Sequence, residues 1–162
     1  MNYWIDELTA ADWDSVRAIY LQGIAVGLST FETEAPPWER WDAGHHAFAR
    51  LAARGEGGLL GWTALGPVSA RAAYRGVAEH SIYIHADARG QGIGRALLTR
   101  LLSEAEANGI WTVQTAIFAL NTPSLALHRA CGFREVGRRE RIAQLRGVWH
   151  DTILLEKRSS LL

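Results

Sequence analysis

The chain has 162 residues, enough for one domain with a sizeable hydrophobic core, and we expect a single domain over residues 1–162. Its 17 basic and 17 acidic residues cancel, so it lacks the basic excess that nucleic-acid or membrane-surface partners require. We find no membrane-spanning apolar run and no secretory signal pattern. The single cysteine, Cys131, cannot form an internal disulfide, which fits a reducing compartment. We therefore expect a cytoplasmic protein.

The first half of the chain predicts a strand, two helices and a hairpin. Thr9 and Asp12 have the spacing of a capping box, so a helix should follow them and end near Gly23 or Gly27. A polar loop comes next, and Pro37 then opens a short second helix. The strands are predicted over residues 3–8, 47–53 and 59–65, the last two forming the hairpin.

The second half predicts strands alternating with helices. Leucines at helical spacing and a terminal Gly109 predict a helix over residues 92–108. A second helix should begin with Thr122 as N-cap and Pro123 at its first position. The strands are predicted over residues 77–85, 111–118, 133–138 and 148–156. This order indicates an α/β domain, with hairpins at both ends and one strand–helix–strand crossover between them.

A glycine-rich turn, Arg89–Arg95, lies between a predicted strand and a predicted helix. Glycines let backbone N–H groups approach a ligand, and a helix N-terminus adds partial positive charge, so the turn suits a phosphate or pyrophosphate. A dinucleotide site needs G-x-G-x-x-G and a later acidic residue, but the spacing here is G-x-G-x-G and residues 111–118 contain no acid. A P-loop string is also missing.

The turn resembles the acetyl-CoA motif of the GNAT acetyltransferases: Gln or Arg, two residues, Gly, one residue, then Gly or Ala. Residues 89–94 fit that motif. A second family motif, which begins with Asn and ends in Leu-Tyr or Leu-His before a Gly-Phe pair, is similar to residues 121–128 with Gly132 and Phe133. The resemblance extends to the phosphinothricin and methionine sulfoximine acetyltransferase branch at residues 61–65, 70–74, 77–84 and 147–151.

The resemblance implies an enzyme with a mixed, mostly antiparallel, twisted sheet flanked by helices, and with a strand–pyrophosphate loop–helix site for the cosubstrate acetyl-CoA. It also implies a homodimer. A bulge in the strand over 77–85 should expose an amide near Ile84 that polarises the thioester, and Asn121, just before its helix cap, should point at the cofactor. The implied cofactor-binding residues are Ile82, Tyr83, Ile84, Arg89, Gly90, Gln91, Gly92, Ile93, Gly94, Arg95, Asn121 and Ser124.

Two residues are candidates for proton transfer. Glu79 lies in a strand of mostly small or apolar residues, where partial desolvation would raise the pKa of its carboxyl and make it a better base. The resembling family has a glutamate at this place. His128 stands where the phosphinothricin branch has histidine, and an imidazole can act as acid, base or relay. We leave open which of the two is the base.

The resemblance places substrate-binding residues at Phe31, Arg71 and Tyr74, together with Glu79. Arginine can hold a carboxylate with two hydrogen bonds, which suits an amino-acid-like substrate such as phosphinothricin, methionine sulfoximine or methionine sulfone. The small residues Ala72 and Gly76 should widen this pocket. We expect no metal site. The alternatives are a GNAT enzyme that acts on protein N-termini, lysines or polyamines, and a non-catalytic acyl-CoA-binding module.

Overall fold

The computed structural model describes residues 2–162, which form seven strands and four α-helices. Three short 3-10 helices, Ala10–Asp12, Ala72–Tyr74 and Ala86–Ala88, lie in the connections. The strands and helices in chain order are β1 (Trp4–Glu7), α1 (Trp13–Val26), α2 (Trp38–Ala43), β2 (Leu51–Gly55), β3 (Gly58–Pro67), β4 (Val77–Ile84), α3 (Ile93–Ala107), β5 (Thr112–Phe118), α4 (Thr122–Ala130), β6 (Arg134–Leu145) and β7 (Val148–Arg158).

The strands form one sheet in the order β1-β2-β3-β4-β5-β7-β6. Neighbouring strands are antiparallel except β4 and β5, which are parallel because α3 crosses over between them. The predicted fold class, a mixed and mostly antiparallel α/β sheet flanked by helices, is therefore confirmed. The parallel pair lies at the centre of the sheet, directly beside the helix that follows the glycine-rich turn.

Alternate residues of the central strands supply two hydrophobic cores on opposite faces of the sheet. Trp62 and Ala64 of β3 pack with α1 and α2 in one core. Leu65 of the same strand packs with α3 and α4 in the other. This alternation follows from the two-residue period of a strand. Both faces of β4 are therefore covered by helices, and the strand carries different side chains to each.

Helix α3 follows the predicted pattern closely. Its leucines Leu97, Leu98 and Leu101 are fully buried against the sheet, and Gly92 is its N-cap. Gly109 follows the helix with a φ of 80°, a left-handed conformation that glycine adopts without strain. None of the helices between residues 2 and 162 is long and apolar enough to cross a membrane.

Tertiary contacts decide one helix end that the sequence left open and correct the start of one strand. Of the two predicted ends of α1, the structure has the second: the helix continues through Gly23 and ends at Val26, before Gly27 with φ 75°. Gly23 is needed inside the helix because a Cβ there would lie 2.6 Å from the ring of Tyr83. Strand β2 begins at residue 51 rather than 47, since Ala49 has a positive φ of 55° that is incompatible with a strand.

The C-terminal hairpin is longer than predicted. Strand β6 runs to residue 145 and bulges between Arg139 and Ala143. It is the edge strand of the sheet, and its residues are exposed up to Ile142. The second half of β6 could not be recognised from the sequence, because exposed polar residues on both of its faces leave no alternating pattern.

Candidate active site

The two parallel strands at the centre of the sheet separate and open a cleft. Strands β4 and β5 pair from Val77 and Thr112 to Glu79 and Gln114, and beyond that point no pairing between them is recorded. The result is a cleft of about 250 Å³ that passes between the faces of the sheet. Its lining comes from the loop after α1 (28–31), β4 (79–83), β5 (115–118), α4 (Asn121, Ser124 and His128) and Thr152 of β7.

The cleft brings together many of the residues predicted from the sequence but not all of them. Seven of the predicted residues line it: Phe31, Glu79, Ile82, Tyr83, Asn121, Ser124 and His128. The glycine-rich turn, Ile84, Arg71 and Tyr74 lie outside this lining. Arg71 and Tyr74 are exposed in the connection that leads into β4, and this strand begins two residues before Glu79.

Glu79 is exposed at the point where β4 and β5 part. The expectation of a desolvated carboxylate is therefore wrong, because the open cleft lets solvent reach this side chain. Glu79 alternates with Ser81 and Tyr83 onto one face of β4, while Ala78, His80 and Ile82 face the other. No ion pair involving Glu79 is found within residues 2–162. Its carboxylate is thus free to accept a proton from a molecule in the cleft.

His128 is buried, with an exposed fraction of 1%, and both of its ring nitrogens have protein partners. Its Nδ1 lies 2.7 Å from the carbonyl oxygen of Ser124, and its Nε2 lies 2.9 Å from Nε2 of His80. Burial lowers the pKa of His128 below its ordinary range. Burial, and then the neighbouring His128, lower the pKa of His80 further. Both rings are therefore neutral near pH 7.

Asn121, rather than Thr122, is the N-cap of α4. Its side-chain oxygen accepts a hydrogen bond from the Ser124 amide at 3.3 Å, and its Nδ2 donates to the carbonyl of Leu28 at 3.0 Å. The expectation that its amide is free of the helix is wrong, since an asparagine oxygen satisfies the unpaired amide of the first turn better than the adjacent threonine does here. Asn121 still borders the cleft, and it ties α4 to the loop after α1.

The glycine-rich turn has the geometry of an anion cradle. Gly90 and Gly92 have φ values of 73° and 80°, and a Cβ at either position would meet no protein atom within 4 Å. The open space lies beside the first turn of α3, whose amides have no partners inside the helix. Arg89 and Arg95 are exposed at the two ends of the turn. These groups fit a pyrophosphate.

The bulge expected in β4 is not found. The pairing of β4 with β3 runs from Ala78 to Ile84 without a register shift. Backbone groups of β4 are instead exposed where the strand separates from β5, because residues 80–84 have no strand partner on the side of the cleft. The ring of Tyr83 packs against Tyr20 and Trp62, at 4.8 and 5.1 Å between ring centroids. Because its ring is held in this aromatic packing, Tyr83 can contact a ligand in the cleft through its backbone.

The substrate end of the cleft is partly aromatic. Phe31 packs against Phe118, with ring centroids 4.4 Å apart, and both line the cleft. Gly76 does not widen a pocket, contrary to expectation. It is buried, and a Cβ there would lie 2.1 Å from the Trp111 ring, so the missing side chain makes room for tryptophan.

Sequence reasoning missed His80, which contacts His128 across 48 positions of the chain. It also missed Thr115 and Thr152, two buried polar residues that line the cleft. The only feature of the sequence that could have drawn attention to His80 is its position next to Glu79. That position does not reveal the contact of His80 with a later helix. Among residues 2–162, no cluster of three or more His, Cys, Asp or Glu side chains is arranged to hold a metal ion.

Comparison with known proteins places this cleft in a family context. The acetyltransferase (GNAT) family matches residues 12–133. A phosphinothricin N-acetyltransferase of Alcaligenes faecalis is 36% identical over 157 residues, covering 90% of this chain and 77% of that protein. A methionine sulfoximine/sulfone acetyltransferase of Pseudomonas paraeruginosa is 29% identical over 162 residues, covering 96% and 94%.

A solved structure agrees with these relatives. The phosphinothricin acetyltransferase of Sinorhizobium meliloti, crystallised in complex with acetyl-CoA, superposes with a TM-score of 0.87 at 30% identity, covering 98% of this chain and 89% of that one. The matched family segment contains Glu79 and His128, which line the cleft, and the glycine-rich turn outside it. The chain therefore belongs to the acetyltransferase (GNAT) family and is an N-acetyltransferase.

Proposed function

We propose that this enzyme transfers an acetyl group directly from acetyl-CoA to the amine of a small, amino-acid-like substrate. The observation that carries this proposal is the cleft that opens where β4 and β5 part, with an anion cradle in the turn that follows β4. The cradle is formed by residues 89–95, the unpaired edge of β4 lines the cleft, and the carboxylate of Glu79, which has no ion-pair partner in the described part of the chain, lies where the strands part. Bound acetyl-CoA supplies a thioester whose C–S bond breaks as the new amide bond forms.

The cradle and the cleft have separate tasks in binding acetyl-CoA. Amides of the first turn of α3, with Arg89 and Arg95, hold the pyrophosphate. The backbone of residues 82–84 hydrogen-bonds the pantetheine arm as an added strand would, and an amide near Ile84 polarises the thioester. Asn121 and Ser124 form the opposite wall. Four more predicted contacts, Gly90, Gln91, Ile93 and Gly94, belong to the cradle.

Glu79 is the general base in this proposal, and His128 is not. The substrate ammonium loses one proton to Glu79, directly or through one water, and the neutral amine then attacks the thioester carbon. The second proton lost by the nitrogen balances the proton taken up by the leaving thiolate. His128 has a site role in the cleft wall, but a transfer to or from substrate would require its ring to give up Ser124 or His80.

The substrate class rests on relatives and on the residues that the family resemblance assigns to substrate binding. Relatives named for phosphinothricin and for methionine sulfoximine and sulfone point to an α-amino acid with a tetrahedral polar group on its side chain. Arg71, with Tyr74 beside it, would hold an anionic group while the α-amine reaches Glu79 and Phe31 walls the pocket. Arg71→Ala should raise the KM for the amine several-fold more than the KM for acetyl-CoA.

The test is a CoA-release assay of the purified protein against three groups of amines: the named amino acids, polyamines, and peptides with free N-termini or lysines. We expect the amino acids to have the highest kcat/KM. Faster acetylation of polyamines or peptides would overturn the substrate class, and no CoA release with any amine would favour a non-catalytic acyl-CoA-binding module. Arg129→Ala, a change on the exposed side of α4, is the matched control for Arg71→Ala.

We also propose that the enzyme is a cytoplasmic homodimer. The exposed edge strand β6 and the exposed apolar side chains Ile142, Val148 and Trp149 support an interface between two copies. Trp149→Glu should give a monomer in light scattering, whereas Trp4→Glu, at an equally exposed tryptophan on the opposite sheet edge, should not. A monomeric wild type would contradict the proposal.

A further inference from the structure

The buried pair His80 and His128 lies at the point where the sheet opens. His80 is the first residue of β4 after its pairing with β5 ends, and His128 lies in the last turn of α4. The two rings are inclined by 19°, with centroids 4.9 Å apart and Nε2 atoms 2.9 Å apart. Since the nitrogens are much closer than the centroids, the rings meet edge to edge and share a hydrogen bond.

The partners of His128 determine where its proton lies. A backbone carbonyl can only accept, so the contact of Nδ1 with the Ser124 carbonyl places a proton on Nδ1. In a neutral ring Nε2 is then an acceptor, and His80 must donate to it from its own Nε2–H. His80 Nδ1 is left as a buried lone pair that accepts no hydrogen bond from residues 2–162, and the backbone of Ser81 lies beside the ring.

The opposite arrangement would put a positive charge on His128. That charge would be buried, and no carboxylate compensates it: the ion pairs among residues 2–162 include one histidine, His85, and neither of these two. His80 contacts the rings of His128 and Phe133 and pairs with Leu65 of β3. Thr115 of β5, which is buried and uncharged, and Glu79, whose side chain is on the opposite face of β4, line the same cleft. Burial of an unpaired charge costs far more than one unpaired lone pair, so the neutral arrangement is favoured.

We propose that His80 is a positioning residue, which donates one hydrogen bond from Nε2–H to Nε2 of a neutral His128 and thereby fixes α4 against β4 where the acetyl-CoA cleft opens. The two walls that the proposed function assigns to acetyl-CoA, the free edge of β4 and the first half of α4, have no strand pairing between them. The hydrogen bond sets their spacing instead. The role of His80 in acetyl-CoA binding rests on the proposed function, whereas the hydrogen bond between His80 and His128 does not depend on it.

The first test is a nuclear magnetic resonance measurement on the ligand-free, ¹⁵N-labelled wild type near neutral pH. Two-bond correlations should show a proton on Nδ1 of His128 and on Nε2 of His80, and a coupling through the hydrogen bond should join the two Nε2 nuclei. The reverse tautomers, a protonated ring in either residue or no coupling between them would overturn the proposal. This measurement needs no substrate and no variant.

The second test is calorimetry of acetyl-CoA binding to His80→Leu, His80→Gln and Phe133→Leu. Leucine removes the donor and should weaken binding about tenfold, while glutamine keeps a donor at a similar reach and should stay within about threefold of wild type. Phe133→Leu removes packing against both rings but no hydrogen bond, and should also stay within about threefold. The KM for the amine should not change.

Two results would overturn the positioning role: wild-type affinity in His80→Leu, or an equal loss in Phe133→Leu. Thermal unfolding of each variant shows whether it is folded at the binding temperature, and the resonance measurement, which needs no variant, decides the proposal if His80→Leu is not. Failure of the proposed function would instead appear as absence of acetyl transfer to every amine, with the hydrogen bond still observed by resonance. The two failures are therefore distinguishable.

Discussion

Lowering the pH from about 7.5 to about 5.5 should destabilise the protein through its buried neutral histidines. Burial lowers the pKa of His80 and of His128 in the fold, so in this range the unfolded chain binds protons that the folded chain does not. Stability is therefore highest above the unfolded pKa of about 6.5 and falls below it. For each ring that stays neutral, the free energy of unfolding drops by about 1.4 kcal/mol over these two pH units, or about 3 kcal/mol for the pair.

The assay is urea unfolding of wild type and His80→Gln at both pH values. Burial lowers the pKa of His45 and His46 as well, so the total loss exceeds that of the pair, and the difference between the two proteins isolates His80. The glutamine variant should lose about 1.4 kcal/mol less than wild type on acidification. Phe133→Leu, which removes no titrating group, should lose as much as wild type. Equal losses in wild type and His80→Gln would refute the claim that His80 is neutral in the fold.

Two further changes test the packing around the cleft. Gly76→Ala should lower the free energy of unfolding by about 1–3 kcal/mol, because the new Cβ would overlap Trp111, whereas Gly57→Ala should be nearly neutral since a Cβ there meets nothing within 4 Å. Asn121→Ala should cost about 1 kcal/mol through loss of the cap on the Ser124 amide, and Asn121→Ser should recover most of it. Urea unfolding measures both, and a neutral Gly76→Ala or Asn121→Ala would contradict the contacts described.

Local physics explains which elements were predictable from the sequence. The buried leucines of α3 repeat at helical spacing, and Gly92 and Gly109 occupy the left-handed positions at its ends. The glycine-rich turn was recognisable for the same reason, since positive φ at Gly90 and Gly92 is a backbone requirement that restricts the residue type. These features depend only on residues that are close together in the chain, so the sequence alone is enough to predict them.

Errors and undecided alternatives arose where a distant residue decides the outcome. The sequence leaves open whether α1 ends at Gly23 or at Gly27, and the helix continues through Gly23 because Tyr83 packs against it from β4. Gly76 looks like an enlarged pocket, but Trp111 fills the space.

The sequence predicts residue types for the candidate site but not its geometry. It proposes Glu79 and His128 by their position, yet the exposure of one and the burial of the other depend on how far β4 and β5 stay paired. Periodicity predicts that a strand exists and does not give the residue at which it leaves its neighbour. The hydrogen bond of His80 to His128 is hidden for the same reason, because it joins a strand to a helix across the opening.

The most direct test of the account is the pH dependence of kcat/KM for wild type and Glu79→Gln with the best amino-acid substrate. At neutral pH the variant should be slower by about 10²–10⁴-fold while its fold and acetyl-CoA affinity are retained. The deficit should shrink as the pH rises, because more of the substrate amine is then already neutral and needs no base. A small deficit that is the same at every pH would show that Glu79 does not accept the proton, and would contradict the account.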